Sequence, residues 1–517
     1  MNGAQALIRT LVDAGVEVCF ANPGTSEMHF VAALDAVPEM RGVLALFEGV
    51  ATGAAAGYGR MTGRPAATLL HLGPGLGNGL ANLHNARRGR VPVVNVVGDH
   101  ATYHARYDAP LQSDIESAAR NVSGWIRTST RPEEVGRDAA EAVVAALGPP
   151  GRVATLILPA DVSWLEGAEP TAPLPAAAPA PVPTERIEAS AAALRSGEPA
   201  VVLAGGRALV EPALELVGRI TAATGARLLG ETFPARLERG AGRPPVERLA
   251  YLAEFIAAQL EGTRHLVLVD AAAPVSFFAY PDKPSDLVPE GCTVHILADA
   301  TEDTVGALTA LADAVGAADD VARQPVGRPE PPTGALTAAS VAQALGAALP
   351  EGAILVDEAA TSGIFVAGAT AGAPPHSYLS CPTGGAIGEG LPVAVGAAVA
   401  CPDRKVICLE ADGSSLYTPQ ALWTMAREGL DVVTLLYNNR SYAVLNMELA
   451  RVGAEPPGPH ARAMLDLSHP DIDFVALAEG LGVPAYRPAD ATELTARLAE
   501  ALAEPGPRLI EVVVPPL

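Results

Sequence analysis

The chain has 517 residues, of which 49% are hydrophobic and only 18% are charged, a composition that excludes an intrinsically disordered protein. Its 35 Lys and Arg residues against 58 Asp and Glu residues give a net charge of −23, which argues against binding to nucleic acid or to anionic membranes. The sequence has no apolar run of membrane-spanning length, and the first residues lack the pattern of a signal peptide, so we expect a cytoplasmic protein.

Short apolar runs alternate along the chain with longer Ala- and Leu-rich helical patterns. The first twenty residues predict an amphipathic helix followed by a strand. Continuous apolar runs separated by helices are typical of buried parallel strands with helices on both faces of the sheet. The other strands predicted in this way are Val93–Val97, Thr155–Leu158, Ala200–Ala204, His265–Val269, Ala353–Val356, Lys405–Leu409, Val432–Tyr437 and Leu509–Val513.

Two Pro-rich stretches divide this pattern into three blocks. The stretches are Glu169–Pro183 and Gln324–Thr333, and both predict extended linkers without periodic structure. We therefore predict an α/β protein of three domains, each a parallel sheet flanked by helices. The predicted domains are residues 1–168, 184–323 and 334–517.

One carboxylate stands out in the first block. Glu48 is the only charged residue between Arg41 and Arg60, and it lies between the apolar run Val43–Phe47 and a predicted helix of small residues. A carboxyl group buried in such a place is suited to hold or share a proton. The structural alternative is a glutamate at a helix start that interacts only with the helix dipole.

The third block contains the strongest motif. A predicted buried strand leads into Asp412-Gly413-Ser414, a helix is predicted over Thr418–Glu428, and the next strand ends at Asn438-Asn439. This βαβ unit places Asp412 and Asn439 at the carboxyl edge of one sheet, where open α/β sheets bind ligands. Carboxylate and amide oxygens suit Mg²⁺, and Gly413 and Ser414 can leave backbone amides open to phosphate.

These motifs resemble the thiamin-diphosphate-dependent superfamily of acetolactate synthase and benzoylformate decarboxylase, the 2-oxo acid decarboxylases and carboligases. Asp412-Gly413 with Asn438-Asn439 resembles its Gly-Asp-Gly…Asn-Asn signature, with Ala411 at the first Gly. The segment 48–63 resembles its Glu-x-x-Ala…Arg-x-Thr-Gly segment, and the loops 22–27, 71–78 and 384–388 resemble active-site loops in family order. Around Glu48, Phe47 and Gly49 replace residues that are often His and Gln in the family.

The resemblance implies thiamin diphosphate and Mg²⁺ as cofactors, and it implies roles for eleven residues. It assigns the metal to the side chains of Asp412 and Asn439 and the backbone carbonyl of Ser441. It assigns cofactor binding to Gly385, Ile387, Gly413, Ser414 and Tyr442, with Ile387 as an apolar wedge under the bent cofactor. The implied catalytic residues are Glu48, His71 and Thr25.

The resemblance further implies an acetolactate synthase-like transferase or lyase that decarboxylates a 2-oxo acid and ligates the remaining fragment to a carbonyl acceptor. In the family the site forms between subunits, so a homodimer or a dimer of dimers (a homotetramer) is expected. The loop Ala273–Tyr280 contains no histidine where benzoylformate decarboxylase has one, and Ala279 is the expected position. Because Gly205-Gly206-Arg207 is only a weak nucleotide-binding signal, FAD is not expected.

Three alternatives remain open at the level of the sequence. The first is a benzoylformate-type decarboxylase that releases an aldehyde. The second is a 2-hydroxyacyl-CoA lyase, which runs a ligation in reverse. The third is a regulatory binding protein on the same fold, which the presence of Glu48, Asp412 and Asn439 disfavours.

Overall fold

The computed structural model describes residues 1–281, 283–319, 321–453 and 458–516. Within these ranges the strands form three sheets of six, five and seven strands. The prediction of an α/β protein with parallel sheets flanked by helices is therefore confirmed. The described ranges contain no helix that is long and apolar enough to cross a membrane.

The first sheet lies between residues 18 and 159. Its strands are β1 (Val18–Asn22), β2 (Arg41–Leu44), β3 (Ala66–Leu70), β4 (Val93–Asp99), β5 (Trp125–Thr128) and β6 (Val153–Pro159). Neighbours are parallel in the order β2-β1-β3-β4-β6-β5. The helices are α1 (Gly3–Asp13), α2 (Met28–Ala33), α3 (Glu48–Thr62), α4 (Leu72–Arg88), α5 (Ile115–Ala119), α6 (Pro132–Leu147) and α7 (Ala160–Trp164). Strands β3 and β6 are buried throughout because helices cover both faces.

The central sheet is smaller and also parallel. Its strands are β7 (Ala200–Ala204), β8 (Arg227–Gly230), β10 (Glu247–Arg248), β11 (His265–Val269) and β12 (Thr293–Ala298), in the order β10-β8-β7-β11-β12. The helices are α8 (Thr184–Arg195), α9 (Ala213–Thr224), α10 (Ala253–Leu260) and α11 (Thr304–Val315). The Pro-rich stretches on either side of this segment contain no helix or regular strand, as predicted for linkers.

The third sheet is not purely parallel, which corrects one detail of the prediction. Its strands from the last third of the chain are β13 (Ile354–Glu358), β14 (His376–Ser380), β15 (Val406–Ala411), β16 (Val432–Asn438), β17 (Ala485–Tyr486) and β18 (Arg508–Val513). A short strand of the central segment, β9 (Leu237–Arg239), pairs antiparallel with β14 and completes the order β17-β18-β16-β15-β13-β14-β9. A mixed sheet with an antiparallel edge strand is common in α/β folds.

The helices of this last part of the chain flank that sheet. They are α12 (Ala338–Ala348), α13 (Val366–Ala369), α14 (Gly390–Ala400), α15 (Asp412–Ser415), α16 (Gln420–Glu428), α17 (Ala443–Arg451), α18 (Pro459–Ala463), α19 (Phe474–Gly480) and α20 (Ala491–Ala503). The helix predicted from Thr418 begins only at Gln420, with Pro419 just before it. The Thr418 hydroxyl instead donates to the Gly388 carbonyl (3.0 Å), which holds this residue in the preceding turn.

Helix α3, which flanks the first sheet, packs against helix α14, which flanks the third. Glycines in both helices allow the close approach. A Cβ atom on Gly57 would lie 2.2 Å from the Val393 carbonyl oxygen, and one on Gly396 would lie 1.8 Å from the Ala54 oxygen. Beside this contact, Arg60 forms an ion pair with Glu389, and both side chains are fully buried. The helix that begins at Glu48 is therefore fixed against the chain that leads into α14.

Candidate active site

A cleft lies at the carboxyl edge of the third sheet, where the strongest motif is located. Strands β15 and β16 are adjacent and parallel, with Ala411 opposite Tyr437. Asp412 and Asn439 therefore follow neighbouring strand ends, as predicted. Both side chains are buried in this edge of the sheet.

The Asp412 carboxylate is held by backbone N–H groups on both of its oxygens. The Gly413 N–H donates to Oδ1 (2.8 Å) and the Arg440 N–H donates to Oδ2 (2.6 Å). Burial nevertheless raises the pKa of Asp412 above its ordinary value, although these hydrogen bonds oppose the shift. A bound cation would offset the desolvation of this carboxylate. The expectation that the Gly413 amide is open to phosphate is wrong, since this N–H is already used by Asp412.

Seven of the eight residues predicted to bind the cofactor or the metal line this one cleft. Asn439 Oδ1 accepts the Ser441 N–H (2.9 Å), which closes a tight turn after β16. Gly413 packs closely against Tyr442, since a Cβ atom added there would lie 2.5 Å from Cε1 of the ring. The seven lining residues are Ile387, Asp412, Gly413, Ser414, Asn439, Ser441 and Tyr442.

The eighth residue, Gly385, belongs to the turn 384–388 that precedes α14. Its φ of +86° lies in the left-handed region, which glycine adopts without strain. Glu358, at the end of β13, fixes this turn by accepting the Gly388 N–H (2.9 Å) and the Gly390 N–H (2.5 Å). Burial raises the pKa of Glu358 to about 8. Burial and the neighbouring Glu358 also raise the pKa of Glu410, whose carboxyl group accepts the Ser414 hydroxyl.

The first sheet supplies a second group of predicted residues, led by Glu48. Glu48 is the first residue of α3 and is 6% exposed. Asn78 of α4 donates its side-chain N–H to Glu48 Oε2 (3.0 Å). A Cβ atom on Gly75 would approach Glu48 Oε1 to 3.2 Å, so this glycine leaves room for the carboxyl group. Glu48 is thus a buried carboxyl group that accepts a hydrogen bond from the Asn78 amide.

His71 lies at the end of β3 and is oriented by a carboxylate that the sequence analysis did not assign. Its Nδ1 lies 2.8 Å from Glu27 Oε2 and 3.2 Å from the Ser26 hydroxyl. Glu27 is buried and also accepts the Gly24 N–H (2.8 Å). Thr25, the predicted catalytic residue of this loop, is exposed, whereas its neighbour Ser26 contacts His71.

Three residues that these contacts reveal were present in the quoted motifs but had no assigned role. Glu27 orients His71, and Asn78 binds Glu48. Phe277 lies next to the turn of Gly385, since a Cβ atom added to that glycine would be 3.2 Å from the ring. The available signal for Glu27 and Asn78 was their position in loops 22–27 and 71–78, which resemble active-site loops of the family. No sequence signal distinguishes Phe277 from its neighbours.

The donor set of the cleft fits Mg²⁺ with a diphosphate. Asp412 and Asn439 offer side-chain oxygens, which are hard ligands of the type that this ion takes, and Ser441 lines the same cleft. The described residues contain no group of three or more His, Cys, Asp and Glu side chains that could hold a metal ion. With Asp412 and Asn439 as side-chain donors, the cleft suits an ion that keeps water or phosphate ligands.

The central sheet does not fit a flavin or another dinucleotide at its carboxyl edge. The Gly206 N–H donates to Glu231 Oε1 (2.9 Å), and the Arg207 N–H donates to Asp270 Oδ2 (2.8 Å). Arg90, which lies between α4 and β4, pairs with the same aspartate. The backbone amides that would bind a pyrophosphate thus already bind carboxylates of the chain. The expectation that FAD is not a cofactor stays a prediction.

Two family models match the two parts of the chain that carry the candidate site residues. Residues 1–120 match the family model of the thiamine pyrophosphate enzyme N-terminal TPP binding domain, and residues 359–512 match that of the C-terminal TPP binding domain. The chain is 62% identical over 519 residues to a Mycobacterium tuberculosis protein named "Putative acetolactate synthase large subunit IlvX", with 100% of both chains covered. It is 30% identical over 534 residues to benzoylformate decarboxylase of Pseudomonas aeruginosa, with 96% of both covered.

A solved structure has a similar fold over the full length of this chain. The thiamine diphosphate-dependent 4-hydroxybenzoylformate decarboxylase of Rhodococcus jostii RHA1 superposes with a TM-score of 0.85 and 26% identity, covering 100% of this chain and 99% of that one. The family models, the relatives and the fold point in one direction: this chain belongs to the thiamine pyrophosphate enzymes, in the group related to acetolactate synthase and benzoylformate decarboxylase.

Proposed function

We propose that the protein binds thiamin diphosphate with Mg²⁺, decarboxylates a 2-oxo acid and ligates the remaining fragment to a second carbonyl compound. The observation that carries this proposal is the single cleft that contains Asp412, Asn439 and Ser441 together with the cofactor residues. The Mycobacterium tuberculosis relative that is 62% identical bears an acetolactate synthase name, which agrees with a ligating enzyme.

When bound, thiamin diphosphate supplies an acidic carbon that adds to the ketone of a 2-oxo acid and accepts the electrons released with carbon dioxide. In this proposal Asp412, Asn439 and the Ser441 carbonyl hold the metal, and Ile387 and Gly385 support the cofactor ring. Glu48 shares a proton with the ring, which Asn78 assists by fixing the carboxyl group. His71, oriented by Glu27, gives and takes protons at the oxygen of the substrate.

The proposal places each complete site between two copies of the chain. The residues that line the cleft all come from positions 358–444, whereas Glu48 and His71 come from the first sheet. In the family that the sequence resembles, the site forms between subunits, so in this proposal a second copy brings its Glu48 to the cleft of the first. A homodimer is therefore the smallest active unit, and a dimer of dimers is compatible with it.

A second candidate function is decarboxylation with release of an aldehyde. It is favoured by the His71–Glu27 contact, because a well-oriented histidine can protonate the decarboxylated fragment directly. The relative from Pseudomonas aeruginosa and the solved structure from Rhodococcus jostii both carry decarboxylase names.

One experiment tests both candidates. The protein is treated with chelator, reconstituted with Mg²⁺ and thiamin diphosphate, and supplied with pyruvate with and without an acceptor aldehyde. Carbon dioxide, aldehyde and hydroxyketone are scored separately. We expect hydroxyketone to exceed free aldehyde when the acceptor is present, and free aldehyde alone would support the second candidate.

The variant Asp412→Ala tests the metal assignment without a substrate. It should fold normally by circular dichroism but lose measurable binding of thiamin diphosphate with Mg²⁺ in calorimetry. Asp431→Ala is a matched control, because Asp431 lies at the opposite end of the same sheet, just before β16. Normal cofactor affinity of Asp412→Ala would contradict the proposed metal site.

A further inference from the structure

The loop 273–280 of the central segment places an aromatic side chain against the proposed cofactor turn. A Cβ atom on Gly385 would lie 3.2 Å from Cζ and 3.8 Å from Cε1 of Phe277. Ala279, the position expected for a histidine, is exposed. The residue of this loop that lies next to the turn is therefore Phe277, which has no proton to donate.

Phe277 belongs to an aromatic cluster that we define as Phe233, Tyr251, Phe277, Phe278 and Tyr280. The ring centroids of Phe277 lie 5.2 Å from Tyr251, 5.9 Å from Phe233 and 4.9 Å from Phe278, with interplanar angles of 56–75°. Tilted and edge-to-face contacts of this kind are the favoured arrangement of aromatic side chains. The ring of Phe277 is therefore held in place by its neighbours before any ligand binds.

The aromatic cluster is also attached to helix α17, the helix that follows the proposed metal ligands. The Tyr280 hydroxyl donates to Glu448, and the Arg451 guanidinium lies 4.9 Å from the centroid of the Tyr280 ring. Helix α17 begins at Ala443, which lines the cleft together with Val444. The same contacts thus position the aromatic rings and the first turn of α17 relative to each other.

Despite this support, the two central rings of the cluster remain open to solvent. Phe277 is 46% exposed and Phe278 is 52% exposed. Large apolar side chains that are fixed but uncovered, and that adjoin a ligand site, are typical of a surface that a ligand covers. Their edges and faces suit a second aromatic ring more than a small aliphatic group.

From these contacts we infer that Phe277, supported by Phe278, selects an aromatic carbonyl compound as the second substrate. This inference rests on the proposed ligation. Carbon dioxide leaves the 2-oxo acid, its former ketone carbon forms a new bond to the aldehyde carbon, and the aldehyde oxygen takes a proton to become a hydroxyl group. Pyruvate and benzaldehyde thus give 1-hydroxy-1-phenylpropan-2-one and carbon dioxide, with no oxidant or reductant.

The test compares two acceptors in the reconstituted protein. Pyruvate is supplied with benzaldehyde or with acetaldehyde, and kcat/KM for hydroxyketone formation is measured for each acceptor. One aromatic contact is worth about two- to tenfold in such a ratio. We expect the wild type to prefer benzaldehyde by at least this factor, and Phe277→Ala to lose about two- to tenfold of that preference.

Two further variants separate stacking from simple filling of space. Phe277→Leu keeps apolar volume without a ring, and it should retain less than half of the wild-type preference. Phe255→Ala removes another exposed phenylalanine, 60% exposed and part of α10, which makes no ring contact with the described residues of the cluster. This control should keep the wild-type ratio of kcat/KM for benzaldehyde to kcat/KM for acetaldehyde. The affinity for thiamin diphosphate, measured by calorimetry, should be equal in all variants.

A measurement of benzaldehyde binding without turnover completes the test. Saturation-transfer NMR of benzaldehyde, with the cofactor bound and no 2-oxo acid, should show ring signals that weaken in Phe277→Ala and persist in Phe255→Ala. If carbon dioxide is released but the two acceptors react equally, or if Phe277→Ala keeps the preference, the inference is wrong while the proposed function stands. If no 2-oxo acid yields carbon dioxide, the proposed function fails and the inference falls with it.

Discussion

The buried ion pair between Arg60 and Glu389 is the contact whose loss we expect to be most costly. Both side chains are fully buried, and Arg60 also donates to the Ser380 carbonyl (3.0 Å) and the Thr383 hydroxyl (3.0 Å). Removing one partner of such a pair costs about 3–5 kcal/mol, because the other charge stays buried without a counter-charge. Glu389→Leu also leaves the Thr383 N–H without its acceptor, which adds about 1–3 kcal/mol. We expect this variant to lose about 4–8 kcal/mol of unfolding free energy.

A double-mutant cycle tests the origin of this loss. Arg60→Met/Glu389→Leu contains no unpaired charge, so its loss should be smaller than the sum of the two single losses by about 3 kcal/mol. Urea unfolding of the cofactor-free protein, followed by circular dichroism with a common m value, gives the four free energies. If the two single losses of unfolding free energy add up to the loss of the double variant within about 0.5 kcal/mol, the buried charges do not depend on each other. The ion pair would then not be what holds the helix of Glu48 to the turn before α14.

Three further predictions concern the site. Glu48→Gln should slow proton exchange at the acidic carbon of bound thiamin diphosphate by about 10²–10⁴-fold in NMR, while calorimetric cofactor affinity changes far less; an unchanged exchange rate would exclude the proposed role. Because burial raises the pKa of Glu358 to about 8, its contribution to stability is complete below the ordinary glutamate pKa and is lost as the pH rises through the raised value. Melting temperatures of the cofactor-free protein should therefore fall between about pH 5 and pH 8, and less so in Glu358→Gln. Phe277→His should shift products from hydroxyketone to aldehyde more than Ala279→His does, because only position 277 adjoins the cofactor turn; equal product ratios would contradict this placement.

Much of the fold was predictable because its central strands are continuous apolar runs. Strand β16, predicted as Val432–Tyr437, ends one residue later in the structure, and β7 and β11 have the predicted bounds. The cleft residues were predictable for a related reason, since a βαβ unit places Asp412 and Asn439 at one edge whatever the rest of the chain does.

Contacts between distant, short or aperiodic segments were not predictable. Strand β9 has three residues, and its partner β14 lies about 140 positions later, so no local pattern marks the pairing. The contact of Glu27 with His71 and that of Phe277 with Gly385 depend likewise on how separate loops meet. Such contacts depend on the tertiary arrangement, and the periodicity of the local sequence predicts only helices and strands.

Strand β9 has a consequence for any attempt to treat the three predicted domains as exchangeable modules. Residues 237–239 lie inside the central segment, yet they cover the edge of the sheet that holds the cleft. A fragment that begins at residue 334 would expose the backbone of β14 as an open edge, which invites association with other chains. Recombination between relatives should therefore succeed only when the central segment and the last third of the chain come from the same parent.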